Sequence, residues 1–158
     1  MQKTNTNEQT DKPERLYAKS FIQLIHNSVG SNLFRNFYVK TPERGEFDAL
    51  DDGYNACAFY VSAVLVIFKK ISGIHGTIDS TIKDLQESGW IRVNEPKEGD
   101  VIVWEAKQFD DVLKEHIGFS IGNDRAISVS WTSKTPMEHS DTFNGKREIV
   151  NIFRQTDW

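Results

Sequence analysis

The chain has 158 residues, of which 38% are hydrophobic and 11% aromatic, so it is long enough for one folded domain with a substantial core. Its net charge of −4 and pI near 5.6 give no electrostatic reason to expect a nucleic acid or an anionic membrane surface as a partner. The sequence contains no apolar run long enough for membrane insertion. Its single cysteine excludes an internal disulfide framework and a multi-cysteine zinc site, and we expect no metal or cofactor.

The first thirteen residues, MQKTNTNEQTDKP, are polar and lack the apolar stretch of a signal peptide. They are predicted to form a disordered tail, followed by a single domain over residues 14–158. Without a signal peptide or a transmembrane segment, we expect the protein to be cytoplasmic or exported by another route. Nothing in the pattern indicates an oligomeric state.

The first part of the chain predicts helices. Between Pro13 and Gly30, apolar residues recur at the three- and four-residue spacing of an amphipathic helix. The aromatic and β-branched stretch 33–39 predicts a short strand or an extended arm, and the acidic stretch 41–55 predicts a solvated loop. The most apolar segment, residues 56–71, predicts a buried helix.

That buried helix is predicted to end at Gly73, and it carries the single cysteine, Cys57, in its first turn. A shorter helix is predicted over residues 77–88, with the threonine at its start as the N-cap. Gly89 follows at the position where a left-handed C-cap is expected.

The second part of the chain changes to a β pattern. Short apolar stretches bounded by turn residues predict strands over 90–93, 101–105, 116–121, 125–131 and 147–154. The Gly-Asn-Asp sequence at 122–124 is typical of a hairpin connection, whereas 106–115 is predicted as a polar insertion and 132–145 as a loop. Helices followed by an antiparallel meander indicate an α+β fold with the N-terminal helices packed on the sheet.

Cys57 is a candidate nucleophile because it lies at the start of the predicted buried helix. Unpaired N–H groups and the positive dipole end of a helix N-terminus favour a thiolate, so we expect a thiol pKa below the ordinary value. The alternative is a buried structural cysteine, which is the commoner role of a free cysteine. The loop before it, residues 51–55, would open the thiol to solvent.

His116 is the candidate general base among the four histidines. It opens an apolar strand directly after the polar insertion, so its ring can face a groove while the strand stays packed. His26 in the first helix and His75 in a glycine-flanked turn are better explained as structural residues, and His139 lies in a polar loop. The pattern therefore predicts a Cys57–His116 pair.

Four segments in the same order carry a resemblance to a known family: NACAFYV at 55–61, GDVIVW at 99–104, HIGFSIGN at 116–123 and RAI at 125–127. They resemble the NlpC/P60 family of cysteine peptidases, in which a G-D strand precedes an H-φ-G-φ-φ-φ-G-N strand. The helix start resembles that of the related CHAP amidases at least as much. The resemblance covers roughly residues 53–154 and implies a papain-like fold.

This resemblance implies a thiol hydrolase that cleaves an amide bond, with a peptide or peptidoglycan as the substrate. It assigns Cys57 as the nucleophile and His116 as the general base. The third catalytic position of the family matches Ser128. Ser130 points the same way by strand alternation, and His139 is a rival from the loop. The family's Asp-Cys-Ser-Gly motif is replaced by Ala-Cys-Ala-Phe in this chain.

Two other functions stay open. A serine at the third position orients an imidazole poorly, which is compatible with a catalytically silent binding module of the same fold. The absence of a signal peptide is compatible with a papain-like deamidase, acyltransferase or effector that acts on a protein or a lipid. The reactivity of the thiol at neutral pH separates an activated Cys57 from a packed one.

Overall fold

Three helices and eight strands make up the described part of the chain, residues 12–158, in this computed structural model. The helices are α1 (Tyr17–Asn27), α2 (Cys57–Ile67) and α3 (Ile78–Glu87). The strands are β1 (Tyr38–Thr41), β2 (Gly45–Asp48), β3 (Ile91–Arg92), β4 (Val101–Phe109), β5 (Val112–Gly122), β6 (Arg125–Val129), β7 (Pro136–Ser140) and β8 (Ile149–Arg154). Residues 1–11, which hold most of the predicted tail, lie outside the described residues.

Six of the strands form one antiparallel sheet in the order β3-β8-β4-β5-β6-β7, and β1 pairs with β2 in a separate hairpin. The predicted α+β class is therefore confirmed, because the helices and the antiparallel sheet form in separate parts of the chain. Within residues 12–158, no helix is both long and apolar enough to cross a bilayer.

Helix α2 is buried on most of its surface, as its continuous apolar sequence predicts. Its buried residues are Ala58, Tyr60, Val61, Ser62, Val64 and Leu65. It ends at Ile67 rather than at Gly73, because Lys69 adopts a left-handed conformation with φ of 55°. Helix α1 likewise begins at Tyr17 rather than directly after Pro13.

The ends of α3 and the β5–β6 turn follow the predicted local chemistry. The Thr77 side chain accepts a hydrogen bond from the Ser80 N–H group at 3.3 Å, and Gly89 has φ of 86°. The turn between β5 and β6 places Asn123 and Asp124 at φ of 52° and 57°, which is the backbone conformation of a tight hairpin turn.

The six-stranded sheet has a helix-covered face and an opposite face with a smaller core. On the helix side, alternating strand residues join the main core with α1 and α2: Val101, Val103, Ile117, Phe119, Ile127, Val129 and Phe153. The smaller cluster consists of Ile102, Trp104 and Ala126. Strand alternation places His116 and Ser128 on this second face, and the His116 ring lies 5.5 Å from that of Trp104.

The polar insertion predicted at 106–115 is wrong, since β4 and β5 continue through it as one hairpin. Lys107 pairs with Lys114, and Phe109 pairs with Val112, across a two-residue turn. The extension beyond Trp104 begins with a register shift. Most of its side chains are exposed. The strands therefore lack the alternation of polar and apolar residues from which a strand is predicted, and the sequence does not indicate this pairing.

Two loops predicted from their polar composition contain strands, so those predictions are also wrong. The stretch 41–55 includes β2, and the stretch 132–145 includes β7, which pairs with β6 as the last strand of the sheet. The stretch 33–39 contributes only its last two residues to β1. Both missed strands are short and largely polar, and their neighbours supply the hydrogen bonds that make them strands.

Candidate functional site

Cys57 is the first residue of α2, where the sequence predicts it. The preceding cap residue, Ala56, has no side-chain oxygen to accept hydrogen bonds from the first helical turn. In α3, by contrast, the cap residue Thr77 accepts one. The N–H groups around Cys57 are therefore free of a side-chain cap and can bind an anionic group.

The loop before Cys57 is held in part by the carboxylate of Asp48 at the end of β2. Its Oδ1 accepts hydrogen bonds from the N–H groups of Phe37 and Leu50 at 2.9 and 3.0 Å. Its Oδ2 accepts hydrogen bonds from the Asn36 side-chain amide and the Asp52 N–H group, both at 2.8 Å. Burial alone would raise the pKa of this carboxyl, but these four hydrogen bonds lower it to about 2. Asp48 thus fixes the chain that leads to the thiol.

The Cys57 thiol lies against the backbone of strand β5. It makes no hydrogen bond to the His116 ring, whose Nε2 contacts Ser128 and whose Nδ1 has no partner. The β5–β6 ladder ends at the pair Gly118 and Ser128. The residue before Gly118 on β5 is Ile117, and its N–H group donates a hydrogen bond to the Cys57 sulfur. The loop before α2 also contacts β5 near the start of that strand, because the Lys114 ammonium lies 3.1 Å from the Asn55 side-chain oxygen. The helix start is thereby anchored at the point where β6 leaves β5.

Burial raises the pKa of the Cys57 thiol above its ordinary value. Nearby N–H groups and the Arg147 guanidinium act in the opposite direction, but their combined effect is smaller. The residue as a whole is partly exposed, whereas its sulfur is surrounded by protein atoms. The lowered pKa expected from the helix start is therefore wrong, because desolvation of the sulfur dominates.

The His116 ring is buried, with 3% of the residue exposed. Its Nε2 lies 2.8 Å from the Ser128 hydroxyl, and its ring centroid is 5.2 Å from that of Trp131. Among the described residues, Nδ1 of His116 is the one buried side-chain polar atom without a hydrogen-bond partner. Burial, together with the nearby Arg147 and His139, lowers the pKa of His116 to about 3, so the ring is neutral near pH 7.

The three candidates for the third position occupy different places. Ser128 contacts His116 directly, and its hydroxyl also lies 2.7 Å from Nε2 of His139 on β7. The Ser130 hydroxyl accepts hydrogen bonds from the N–H groups of Thr132 and Ser133, at 3.2 and 3.3 Å. Ser128 is therefore the residue that contacts the His116 ring, and His139 reaches it through Ser128.

Gly118 explains how Ser128 comes so close to His116. A Cβ atom at this position would lie 2.6 Å from the Ile127 carbonyl oxygen and 2.7 Å from the Ser128 Cβ. It would also lie 3.1 Å from the Trp104 ring. The glycine two residues after His116 is therefore a packing requirement, because only a residue without a Cβ lets β6 and Trp104 close on β5.

Arg147 is a site residue that the sequence does not predict. Its side chain is buried and donates hydrogen bonds to the carbonyl oxygens of Glu105 and Lys114 at 2.8 and 2.5 Å. Its guanidinium lies near both Cys57 and His116 and affects the pKa of each. Both of its carbonyl partners lie at the start of the extended β4–β5 hairpin, which explains why sequence patterns miss it.

A cavity of about 610 Å³ opens beside the His116 ring. Its walls are mainly apolar and aromatic, with Phe109, Trp131, Met137 and Phe143 among them, and three cationic side chains also line it: Lys107, Lys146 and Arg147. The lining includes His116 and Ser128 but not Cys57. A ligand in this cavity would contact the His116 imidazole and the Ser128 hydroxyl.

The other histidines lie outside this arrangement. His26 is exposed on α1, and His75 hydrogen-bonds the buried Asp84 carboxylate at 2.7 Å, away from the cavity. In residues 12–158, no cluster of three or more His, Cys, Asp or Glu side chains has the arrangement of a metal site.

Comparison of the sequence with protein families and curated proteins adds no relative. The chain matches no protein-family model, and no curated protein is similar enough in sequence to match it. The candidate function therefore depends on the chemistry of these residues.

Proposed function

We propose that this chain is a thiol hydrolase that cleaves an amide bond. Cys57 attacks the carbonyl carbon, and His116 accepts the thiol proton on Nδ1 and returns it to the departing amine. Ser128 orients the imidazole by accepting a hydrogen bond from Nε2. Backbone N–H groups at the start of α2 stabilise the oxyanion of the tetrahedral intermediate.

The observation that carries the proposal is the unpartnered Nδ1 of His116. A buried imidazole normally has partners for both nitrogens, because an unmade hydrogen bond in the interior costs free energy. Here one nitrogen is satisfied by Ser128, and the other is open. The next residue on the same strand contacts the thiol through its N–H group, and Arg147 is close to both side chains.

The pKa directions favour proton transfer during the attack rather than a resting ion pair. Burial raises the pKa of Cys57 and lowers that of His116, so both groups are neutral at rest. The neutral ring has one unprotonated nitrogen, which can remove the thiol proton as the carbon–sulfur bond forms. The Arg147 guanidinium then stabilises the negative charge that develops on sulfur.

The cavity supports a peptide as the substrate, in line with the peptidoglycan peptides that the family resemblance implies. Its aromatic walls suit apolar side chains, and its cations suit carboxylates. Peptidoglycan stem peptides combine both features in a short chain. Of the three cations, Lys107 pairs with Glu105, whereas Lys146 and Arg147 have no ion-pair partner among residues 12–158.

Acylation of Cys57 by p-nitrophenyl acetate tests the thiol chemistry without knowledge of the substrate. We expect the wild type to form an acetyl thioester at Cys57, detected by intact mass, and to release acetate slowly. His116→Gln should slow the acylation by about 10² or more, because the base is lost. The matched control His26→Gln, on an exposed helical histidine, should react like the wild type. Equal rates in all three proteins would contradict the proposal.

Synthetic stem peptides then test the substrate class. Wild type should release new amino groups, measured by mass spectrometry, and Cys57→Ala should release none. A protein that acylates normally but cleaves no stem peptide is a hydrolase or acyltransferase with another substrate, such as a protein or a lipid.

A catalytically silent binding module is the second candidate, and the raised pKa of Cys57 favours it. A buried neutral thiol packs as a small hydrophobe, and the aromatic cavity could bind a peptide without cleaving it. In such a module, the wild type and Cys57→Ala would bind stem peptides with equal affinity. His116→Gln would leave the slow acylation of Cys57 unchanged.

A further inference from the structure

We propose that His139 is a positioning residue that fixes, through the Ser128 hydroxyl, the His116 tautomer with an unprotonated Nδ1. The structural part of this inference concerns four hydrogen-bonding groups in a row: the Ser140 carbonyl, His139, Ser128 and His116. Its consequence for catalysis rests on the proposed function, in which Nδ1 of His116 is the base.

The Ser140 carbonyl determines which atoms of this row donate hydrogen bonds and which accept them. Nδ1 of His139 lies 2.7 Å from the carbonyl oxygen of Ser140. A carbonyl oxygen can only accept a hydrogen bond, so Nδ1 of His139 carries a proton. A neutral imidazole has one N–H group, and Nε2 of His139 is therefore an acceptor.

Each following group has one choice left. The Ser128 hydroxyl lies 2.7 Å from Nε2 of His139 and donates its single proton to that nitrogen. Its oxygen can then only accept from Nε2 of His116, at 2.8 Å. The His116 proton is consequently on Nε2, and Nδ1 has a free lone pair.

The surroundings of His139 keep its ring in place and neutral. The ring stacks on Phe143 with centroids 4.0 Å apart. Burial lowers the pKa of His139, and the ion-paired Arg125 and Glu138 beside it act in opposite directions. His116 lies on the other side of the Ser128 hydroxyl, Arg147 lies near His116, and Lys107 and Lys146 line the same cavity. A neutral His139 is the state in which Ser128 must donate toward it.

This polarity also suits the charged intermediate of the reaction. When Nδ1 of His116 takes the thiol proton, Nε2–H continues to donate to Ser128, and no other proton has to move. A serine without a fixed direction could instead donate to Nε2 of His116, which would put the proton on Nδ1 and leave no base toward the thiol. His139 thus supplies what a lone serine lacks as an imidazole orienter.

Side-chain two-bond ¹H–¹⁵N correlation spectra of the folded protein at neutral pH test the tautomer directly. In the wild type, we expect His116 with Nε2 protonated and Nδ1 unprotonated. His139→Phe keeps a ring against Phe143 but removes both nitrogens, so His116 should become a mixture of tautomers. Ser128→Ala should have the same effect without changing the packing of His139. His139→Gln, whose side-chain oxygen can accept from Ser128, should restore the wild-type tautomer.

The acylation rate of Cys57 by p-nitrophenyl acetate gives the second readout. His139→Phe should slow it by roughly tenfold, and His139→Gln should recover most of the loss. Wild-type His116 protonated on Nδ1, or an unchanged tautomer in both His139→Phe and Ser128→Ala, would overturn the inference. If the tautomer follows His139 but acylation ignores His116→Gln, the positioning is right and the proposed hydrolase is wrong.

Discussion

Burial shifts the pKa values of Cys57 and His116 in opposite directions, and each shift favours the neutral form. The helix start and Arg147 favour the thiolate, but they do not compensate for the desolvation of the sulfur. The site therefore differs from one with a resting thiolate–imidazolium pair. In the proposed mechanism, the thiol depends on a base whose lone pair is directed by Ser128 and, beyond it, by His139.

The titration of the thiol tests this view of the site. We expect the thiolate of the folded protein, followed by its ultraviolet absorbance, to form with a midpoint above the model-peptide value of about 8.5. The denatured protein should titrate near that ordinary value, because the sulfur is then hydrated, and Cys57→Ser should give no signal. A midpoint below about 7 in the folded protein would mean that the helix start and Arg147 outweigh burial after all.

At the scale of elements, strands β5 and β6 hold the site together through one close approach. Gly118 lies two residues after His116 on the same face of β5, and Ser128 is its partner on β6. The motif of a histidine followed two residues later by glycine thus has a physical reason, since a side chain at 118 would push Ser128 away from the ring.

We expect Gly118→Ala to destabilise the fold by about 1–3 kcal/mol, the usual range for overpacking a filled interior. It should also slow Cys57 acylation, because the Ser128 hydroxyl moves away from Nε2 of His116. Chemical denaturation and acylation kinetics measure the two effects. Gly76→Ala is the matched control, since a Cβ there has no neighbour within 4 Å and the backbone needs no positive φ. Wild-type stability and rate in Gly118→Ala would show that β6 can move aside freely.

At the scale of the whole molecule, buried titratable groups link stability to pH. His116 is neutral when folded down to a pKa of about 3 but takes up a proton in the unfolded chain below about 6.5. Burial lowers the pKa of His139 as well. The unfolded state therefore binds more protons below pH 6.5, and the free energy of unfolding must fall as the pH falls. Asp48, with a pKa of about 2, adds to the loss only below about pH 4.

Denaturant unfolding between pH 7 and pH 4.5 should show this loss, with a slope of up to about 1.4 kcal/mol per pH unit from His116. His116→Gln should have a shallower slope over the same interval, and the remainder should come from His139. His26→Gln, which removes an exposed histidine, should keep the wild-type slope. A wild-type stability that is constant down to pH 4.5 would mean that His116 is protonated in the folded state.

Local sequence patterns are sufficient to predict the three helices, the central strands and the position of Cys57 at a helix start. These features follow from local patterns: apolar spacing, the Thr77 cap, the turn at 122–124 and the unbroken apolar run of α2. The α+β class follows from the order of those elements along the chain. The family resemblance also points to Ser128, whose hydroxyl lies 2.8 Å from Nε2 of His116.

The remaining strands, the protonation of the site and the contacts behind His116 depend on residues that are distant from one another in the sequence. Backbone hydrogen bonds to neighbouring strands hold β2, β7 and the outer hairpin of β4 and β5. Such bonds do not require a particular pattern of side chains, so a polar sequence does not predict them. Arg147 and His139 join the site through contacts with the hairpin and with Ser128. The pKa of Cys57 depends on how many atoms surround the sulfur, and a helix position alone does not fix that number.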